Sequence, residues 1–321
     1  MGVTTAPPST PHAADRLIEA MDRAGAPACV GLDPVLEKLP PAVVAASAGD
    51  PAAAIERFSL GVLEACAGII GAVKPQSACY ERYGAAGVAA LERVCAEARR
   101  LGFAVILDVK RGDIGVTAEH YAQAAFGVMG ADFATISGSM GPDTIEPWLA
   151  PQWADRGVFV LVRTRNPGSD ALQSVASPAP PPAAAAPRPA SPARGEGAET
   201  VAERMARMVD EIGASRVGTQ GFSNVGAVVA ATKPADAARL RALMPRAIFL
   251  VPGFGAQGGT TETVRELFDA QGRGAVVTAS RSVIYPGGER WGEAGHAGWT
   301  EAVREAAGRL RQELAAVAEP G

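Results

Sequence analysis

The chain has 321 residues, of which 48% are hydrophobic and 20% are charged, and its formal net charge is -4 at pH 7. This length suffices for one large core, and the small negative charge argues against nucleic acid as a partner. No apolar run is long enough to span a bilayer, the start lacks the pattern of a secretory signal, and the four cysteines show no zinc-like spacing. We therefore expect a cytoplasmic protein with no membrane or nucleic-acid partner.

Strand-like apolar runs alternate with amphipathic helical segments along most of the chain. Residues 1–14 are expected to be a flexible tail, and residues 15–321 a single domain. In chain order the runs are PACVGLD, GIIGAVKP, FAVILDVK, ADFATIS, GVFVLVR, a sixth run, AIFLVPG and GAVVTAS. They lack clean in–out alternation, as is typical of parallel strands buried on both faces. Eight β–α repeats predict an α/β fold, a closed (β/α)8 TIM barrel rather than an open sheet.

Two segments depart from this regular pattern. Either SRVGTQGF (215–222) or VGAVVAAT (225–232) can supply the sixth strand, and the second is preferred. The segment 177–199 is dominated by Pro and Ala and cannot bury enough side-chain area to fold. We expect it to be a disordered insertion between the fifth strand and its helix, and not a domain boundary.

Polar residues at the carboxyl ends of the predicted strands are the candidate site, because those ends form the active-site face of a barrel. The first strand ends in Asp33, the second in Lys74 and the third in Asp108 and Lys110, with Asp113 on the loop that follows. Buried charges are costly unless they are paired or used, so this density of charge favours a function.

The spacing of the charges on the third strand indicates proton transfer. Asp108 and Lys110 are two apart, so their side chains point the same way, and Asp113 adds a second carboxylate that holds the ammonium protonated. Two like charges ~4 Å apart cost about 4 kcal/mol at an effective dielectric constant of ~20, so Asp108 would repel an anionic substrate. Decarboxylation relieves this repulsion, and the lysine can protonate the carbanion that remains.

Two alternatives remain for this cluster. It can be a surface ion-pair cluster without function, or Lys110 can be a Schiff-base lysine of the aldolase kind. The nearby carboxylates disfavour the second alternative, because they raise the pKa of an amine that must be neutral to attack a carbonyl.

A second candidate site follows the last two strands. Glycine-rich loops after strands seven and eight of a barrel often bind phosphate, and VPGFGAQGGT is followed by VVTASRSVIY here. Gln257 can donate a hydrogen bond to a phosphoryl oxygen, and Arg281 can bind it through its planar guanidinium group. Alternatively, the glycines only allow tight turns and Arg281 is a surface cation.

The pattern Asp108-x-Lys110-x-x-Asp113-Ile114-x-x-Thr117 resembles the signature of the orotidine 5'-phosphate decarboxylase family. The segments GLDP, VKPQSACYERYG, RTRNPGS, VPGFGAQGG and VVTASRSVIYP resemble its bacterial type 2 branch. The resemblance extends from the first strand to the last, without the tail and the Pro/Ala-rich segment.

The resemblance implies a (β/α)8 barrel and a homodimer with shared active sites. It further implies conversion of orotidine 5'-phosphate to uridine monophosphate and CO2, a step of de novo pyrimidine biosynthesis, without cofactor or metal. The resemblance also implies that Lys110 is the proton donor and that Asp108 lies beside the departing carboxylate. Lys74 would join these two charged side chains and contact the ribose.

The remaining family roles concern binding. Asp33 would bind a ribose hydroxyl, Asp113 and Thr117 would reach into the neighbouring subunit's site, and Gln257 and Arg281 would hold the phosphate. Binding energy from the remote phosphate can offset the cost of forcing the carboxylate against an aspartate.

One position departs from the family pattern. Arg165 occupies the position where a serine that contacts the pyrimidine amide is expected, and an arginine has no acceptor for a ring N–H. Thr164 or a backbone group would then have to make this contact. Two rival functions are a metal-dependent sugar-phosphate decarboxylase of the same barrel type and a catalytically inactive phosphate-binding barrel.

Overall fold

The computed structural model describes residues 11–178, 198–231, 234–254, 261–286 and 298–318. Its strands are β1 (Ala28–Leu32), β2 (Ala72–Pro75), β3 (Ala104–Arg111), β4 (Phe133–Ile136), β5 (Gly157–Arg163), β6 (Ala176–Pro178), β7 (Ala198–Thr200), β8 (Ser223–Val229), β9 (Ala247–Pro252) and β10 (Ala275–Ala279). Eight of them form a closed parallel barrel in the order β1, β2, β3, β4, β5, β8, β9, β10. The predicted (β/α)8 barrel is therefore confirmed, and its sixth strand, β8, overlaps the preferred segment.

The helices lie around this barrel. They are α1 (Ala13–Ala24), α2 (Pro41–Ala45), α3 (Pro51–Cys66), α4 (Ala78–Glu81), α5 (Gly84–Arg100), α6 (Gly115–Ala122), α7 (Asp170–Gln173), α8 (Val201–Gly213), α9 (Pro234–Leu243), α10 (Thr261–Arg265), α11 (Arg281–Ile284) and α12 (Trp299–Ala318). Side-chain caps fix the first residues of two of these helices: Asp50 caps α3, and Thr200 and Glu203 form a capping box on α8. Within the described ranges, no helix combines the length and apolar character needed to cross a membrane.

Two apolar layers hold the barrel together. The larger layer lies between the strands and the surrounding helices, and the smaller one fills the barrel interior. Inside the barrel the rings of Phe133 and Phe159 pack with their centroids 4.8 Å apart. Leu17 and Ile18 of α1 belong to this inner layer, so α1 closes the amino-terminal end of the barrel. The carboxyl ends of the strands remain open for a site.

The prediction that residues 1–14 form a flexible tail is wrong for the last two of them. Helix α1 begins at Ala13, and Ala13 and Ala14 are fully buried because they pack into the inner layer at the base of the barrel. Residues 1–10 lie outside the described part of the chain.

The prediction that residues 177–199 form a disordered insertion is also wrong for the two ends of this segment. Strands β6 and β7 pair in an antiparallel ribbon, with Ser177 opposite Glu199 and Pro178 opposite Ala198. Backbone pairing of this kind does not depend on large apolar side chains, so composition alone does not reveal it. The remainder of the segment, 179–197, lies outside the described residues.

Candidate active site

A cavity of about 670 Å³ opens at the carboxyl ends of the barrel strands. Its volume lies in the range that small-molecule sites occupy. The predicted site residues that line it are Asp33, Lys74, Asp108, Lys110, Thr164 and Arg281. Parallel strands bring their ends to one face, so residues on or directly after five strands, β1, β2, β3, β5 and β10, meet in this cavity.

Asp108 is the centre of the charged array. Its Oδ2 accepts hydrogen bonds from Lys74 Nζ at 2.6 Å and from Gln76 Nε2 at 3.2 Å. Its Oδ1 accepts from Lys110 Nζ at 2.5 Å and from Thr135 Oγ1 at 2.8 Å. Asp108 is only 5% exposed, so these four donors replace the water that burial removes from its carboxylate.

The array keeps Asp108 ionised and Lys74 protonated. Burial by itself would raise the pKa of Asp108, but the ammonium groups of Lys74 and Lys110 outweigh it and hold that pKa well below its usual range. Burial would likewise lower the pKa of Lys74, but Asp108 and then Asp33 raise it well above its usual range. A fixed negative charge therefore lies between two cations at the base of the cavity.

Lys110 is the accessible member of this array. Its side chain is 47% exposed, whereas the Lys74 side chain is 8% exposed. Its backbone has φ 45, in the left-handed region that non-glycine residues rarely adopt. Lys110 and Asp108 thus both face the cavity as predicted, but through an irregular backbone rather than through plain strand alternation.

Asp113 and Thr117 do not line the cavity of their own chain. The Asp113 carboxylate accepts a hydrogen bond from the backbone N–H of Ile114, and Thr117 is exposed on α6. The prediction that two carboxylates flank Lys110 is therefore not met within one chain; instead one carboxylate lies between two ammonium groups. Gln257 lies outside the described residues, so its predicted phosphate contact is not described.

The cationic side of the cavity follows β10. Arg281 begins α11, is exposed and lines the cavity beside Ser280. Strand β1 approaches this turn so closely that a Cβ on Gly31 would lie 2.0 Å from Ser280 Oγ, so a larger residue there would force the Ser280 side chain to move. Nearby, Asp33 Oδ1 is buried without a hydrogen-bond partner among the described residues.

Arg163, the last residue of β5, is a structural anchor rather than a cavity residue. It is 2% exposed and forms ion pairs with Asp170 at 2.5 Å and with Asp236 at 2.8 Å. These pairs fix the direction in which the chain leaves the strand.

The next two residues line the cavity. The Thr164 hydroxyl donates to Asn166 Oδ1 at 2.7 Å and accepts from Gln173 Nε2 at 3.0 Å. The exposed guanidinium of Arg165 makes no hydrogen bond or ion pair with any other described residue. Of these two side chains, Arg165 is therefore the one with donors available to a ligand.

Two residues that bind Asp108 were missed by sequence reasoning, Gln76 and Thr135. Gln76 lies two positions after Lys74, which places it on the same side of the chain. Thr135 is a polar residue inside an otherwise apolar strand and is 1% exposed. A polar residue in a buried strand requires a partner, so this signal could have found Thr135, and for Gln76 the signal is its spacing from Lys74.

The described residues contain no group of three or more His, Cys, Asp or Glu side chains arranged to hold a metal ion. The acidic residues of the cavity, Asp33 and Asp108, interact with Lys74, and Asp108 is fully occupied by donors.

The Asp108→Asn variant is expected to be less stable at neutral pH by about 3 kcal/mol, the cost of leaving a buried charge without its partner. Lys74 is 6% exposed and loses its counter-ion in this variant. Because the pKa of Asp108 is lowered in the folded state, the carboxylate stabilises the fold above its unfolded pKa of about 4 and this stabilisation is lost as the pH falls further. Urea unfolding at several pH values measures the difference.

The difference in the free energy of unfolding between wild type and Asp108→Asn should therefore become smaller as the pH falls below about 4. If this difference in unfolding free energy were the same at neutral and acidic pH, the account would be contradicted, because an ionised carboxylate would then not cause the difference.

The barrel and its cavity define the class of protein. The chain is a (β/α)8 barrel whose cavity, at the carboxyl ends of the strands, holds a buried carboxylate between two lysines and is also lined by Arg281, which is where the enzymes of this barrel class carry their active sites.

Comparisons with known proteins give the family. The model of the orotidine 5'-phosphate decarboxylase / HUMPS family matches residues 27–289. An orotidine 5'-phosphate decarboxylase of Rhodopirellula baltica is 38% identical over 317 residues, which cover 94% of this chain and 98% of that protein. One of Deinococcus radiodurans is 40% identical over 289 residues, covering 89% of this chain and 90% of that protein. The solved OMP decarboxylase of Leishmania donovani is 30% identical with a TM-score of 0.68, covering 94% of this chain and 99% of that one.

The chain belongs to the orotidine 5'-phosphate decarboxylase / HUMPS family, and these relatives place it among the carboxy-lyases of that family.

Proposed function

We propose that this protein decarboxylates orotidine 5'-phosphate to uridine monophosphate in the cytoplasm, as a step of de novo pyrimidine biosynthesis, with Lys110 as proton donor and without cofactor or metal. The observation that carries the proposal is that Lys110 and Arg281 line one cavity with Asp108 directly beside the Lys110 amine. The charged side chains among the described lining residues are Lys38, Lys74, Lys110, Arg165, Arg281, Asp33 and Asp108. Cations exceed carboxylates, which suits a substrate with both a phosphate and a carboxylate.

The reaction follows from the charges at the base of the cavity. The substrate carboxylate lies against ionised Asp108, which cannot relieve the repulsion by taking a proton because its pKa is held low. When the carbon–carbon bond breaks, CO2 leaves and the electron pair stays on the ring carbon. Lys110 Nζ then gives a proton to that carbon, and its half-exposed amine recovers a proton from water. The negative charge near Asp108 disappears as CO2 departs, so the transition state is favoured over the bound substrate.

Contacts with the phosphate and the ribose, away from the reacting carbon, supply the binding energy that brings the substrate carboxylate against Asp108. Arg281 binds the phosphate through charge-assisted hydrogen bonds, together with Gln257. Asp33 Oδ1, which has no hydrogen-bond partner in the described part of the chain, accepts a hydrogen bond from a ribose hydroxyl, and Lys74 also contacts the ribose.

The pyrimidine contact differs from the family pattern. Apolar side chains of β5, β8 and β9, Leu161, Val228 and Leu250, line the same cavity as Arg165 and offer a surface for a planar ring. Arg165 donates to a ring carbonyl oxygen there. The Thr164 hydroxyl accepts one hydrogen bond, from Gln173, and its second lone pair can accept the ring N–H; a backbone carbonyl is the other candidate acceptor.

A turnover assay with purified protein tests the proposal. The absorbance of orotidine 5'-phosphate is followed with and without a chelator, and sugar phosphates are assayed in parallel. Turnover of orotidine 5'-phosphate that the chelator does not change supports the proposal. Chelator-sensitive activity on sugar phosphates would replace it by the metal-dependent decarboxylase, and binding without turnover by an inactive phosphate-binding barrel.

The Arg281→Ala variant is expected to lower kcat/KM for orotidine 5'-phosphate by about 10- to 100-fold, the size of a lost hydrogen bond to a charged group. The same change should leave kcat/KM for the nucleoside orotidine almost unchanged, because the nucleoside has no phosphate to bind. Steady-state kinetics with both substrates measures the contrast.

Arg165→Ala is the matched control, because it removes another arginine from the same cavity. If Arg165 contacts the ring, this variant loses activity on nucleotide and nucleoside to the same extent. Equal losses on both substrates in Arg281→Ala would argue against a phosphate role for Arg281.

We further propose that the protein acts as a homodimer with shared active sites. Ile114, Val116 and Met140, at the carboxyl ends of β3 and β4, are 51%, 65% and 55% exposed. Large apolar side chains exposed together mark an interaction surface. Asp113 and Thr117 lie in the same segment and outside their own cavity, so a second copy seated here would receive them in its site.

A further inference from the structure

We propose that Thr135 is a positioning residue that holds Lys110 and Asp108 in their reactive arrangement through a single hydroxyl group. Thr135 is the third residue of β4, is 1% exposed and lines the cavity from the strand next to β3. The role deepens the proposed function and rests on it, because it matters only if Lys110 is the proton donor.

The backbone of β3 is irregular beside Thr135. Leu107 pairs with Ala134 and Arg111 with Ile136, so three residues of β3 lie opposite the single residue Thr135. The regular parallel ladder cannot continue through this bulge, and the backbone N–H of Lys110 has no strand carbonyl in register. It donates instead to Thr135 Oγ1 at 3.0 Å. A side-chain hydroxyl therefore takes the place of a backbone acceptor at the residue whose φ is 45.

The same hydroxyl also binds the carboxylate of the array. It donates to Asp108 Oδ1 at 2.8 Å, the oxygen that accepts from Lys110 Nζ. A threonine hydroxyl has one proton and two lone pairs, so it can donate to the carboxylate and accept from the amide at once. Thr135 thus links the backbone of Lys110 to the carboxylate that holds the end of the Lys110 side chain.

Loss of this hydroxyl is expected to affect chemistry more than binding. Asp108 keeps Lys74 and Gln76 on its other oxygen, so the carboxylate stays bound and charged. The backbone N–H of Lys110 loses the acceptor that it has in this conformation. Asp33 and Arg281, proposed to bind a ribose hydroxyl and the phosphate, follow β1 and β10, and Lys74 is held by the other oxygen of Asp108, so none of these side chains hydrogen-bonds to Thr135.

The test compares Thr135→Val, Thr135→Ala and Thr135→Ser. Valine keeps the shape and removes the hydroxyl, alanine removes it without crowding, and serine retains it. We expect kcat for orotidine 5'-phosphate to fall by about 10- to 100-fold in the valine and alanine variants, as for a small misplacement of a reacting group, with KM within ~3-fold of wild type. Serine should recover most of kcat.

Thr144→Val is the matched control. Thr144 is also 1% exposed, and its hydroxyl donates to the Gly141 carbonyl at 2.7 Å, outside the cavity. Its loss is expected to lower the melting temperature but to leave kcat unchanged, which separates positioning from the general effect of losing a buried threonine hydroxyl.

Three results would overturn the inference. They are a wild-type kcat in folded Thr135→Val or Thr135→Ala, a Thr135→Ser variant as slow as these, or a kcat loss of equal size in Thr144→Val. The alanine variant decides the question if valine prevents folding. Failure of the proposed function is recognised separately: the wild-type protein would then not turn over orotidine 5'-phosphate, or Lys110→Ala would remain active.

Discussion

The Lys110→Ala variant is expected to lose decarboxylation almost completely, with kcat falling by about 10²- to 10⁴-fold, the contribution of a positioned general acid. Its fold should be unaffected, because the Lys110 side chain is 47% exposed and leaves no cavity in the core. The absorbance assay measures kcat. The melting temperature and the affinity for uridine monophosphate are the controls, and both are expected to stay close to those of wild type.

Lys110→Arg separates proton transfer from charge. A guanidinium keeps the positive charge beside Asp108, but it does not release a proton in proteins. The arginine variant is therefore expected to be as inactive as the alanine variant. If either variant kept most of the wild-type kcat, Lys110 would have no part in proton transfer.

The barrel could be predicted from the sequence because its strands leave a simple signal. Apolar runs without alternation indicate strands that are buried on both faces, and the structure has eight such strands in a closed parallel barrel. The meeting of Lys74, Asp108 and Arg281 in one cavity then follows from topology, because all three follow or end parallel strands.

The arrangement of the array could not be predicted in the same way. Whether Lys110 meets one carboxylate or two depends on the loop conformation at Asp113, and sequence spacing does not fix it. The contact of Thr135 with Lys110 depends on the register between β3 and β4, which shifts at a bulge. Register is set by the packing of whole strands, so a pattern within one strand does not reveal it.

Local composition also led to wrong predictions for the ends of two segments, the N-terminal tail and the Pro/Ala-rich insertion. The segment around Ser177 and Glu199 has few large apolar residues, yet its ends pair across 21 intervening positions in the sequence. Ala13 and Ala14 resemble the preceding tail in composition, but they are buried because the helix that they begin closes the barrel. In both cases a contact that is distant along the chain decides the structure.

Mixing two inactive variants, Lys110→Ala and Asp113→Ala, is expected to restore about one quarter of wild-type activity in an equal mixture. In a dimer whose sites are shared, Asp113 of each chain completes the site that contains Lys110 of the other. A mixed dimer then has one site with both residues and one site with neither. Half of all dimers are mixed after random exchange, and each has one working site of two. Activity is measured after exchange between differently tagged chains has been verified.

Lys110→Ala mixed with Asp108→Asn is the control that fixes the interpretation. Asp108 and Lys110 are hydrogen-bonded within one chain, so every site in that mixture lacks one of them and no activity should return. Recovery in the first mixture alone therefore requires that Asp113 act across the interface, from the exposed segment that also carries Ile114 and Val116. If no activity returned in either mixture despite confirmed exchange, Asp113 would act within its own chain, and its loop would have to turn towards Lys110 when substrate binds.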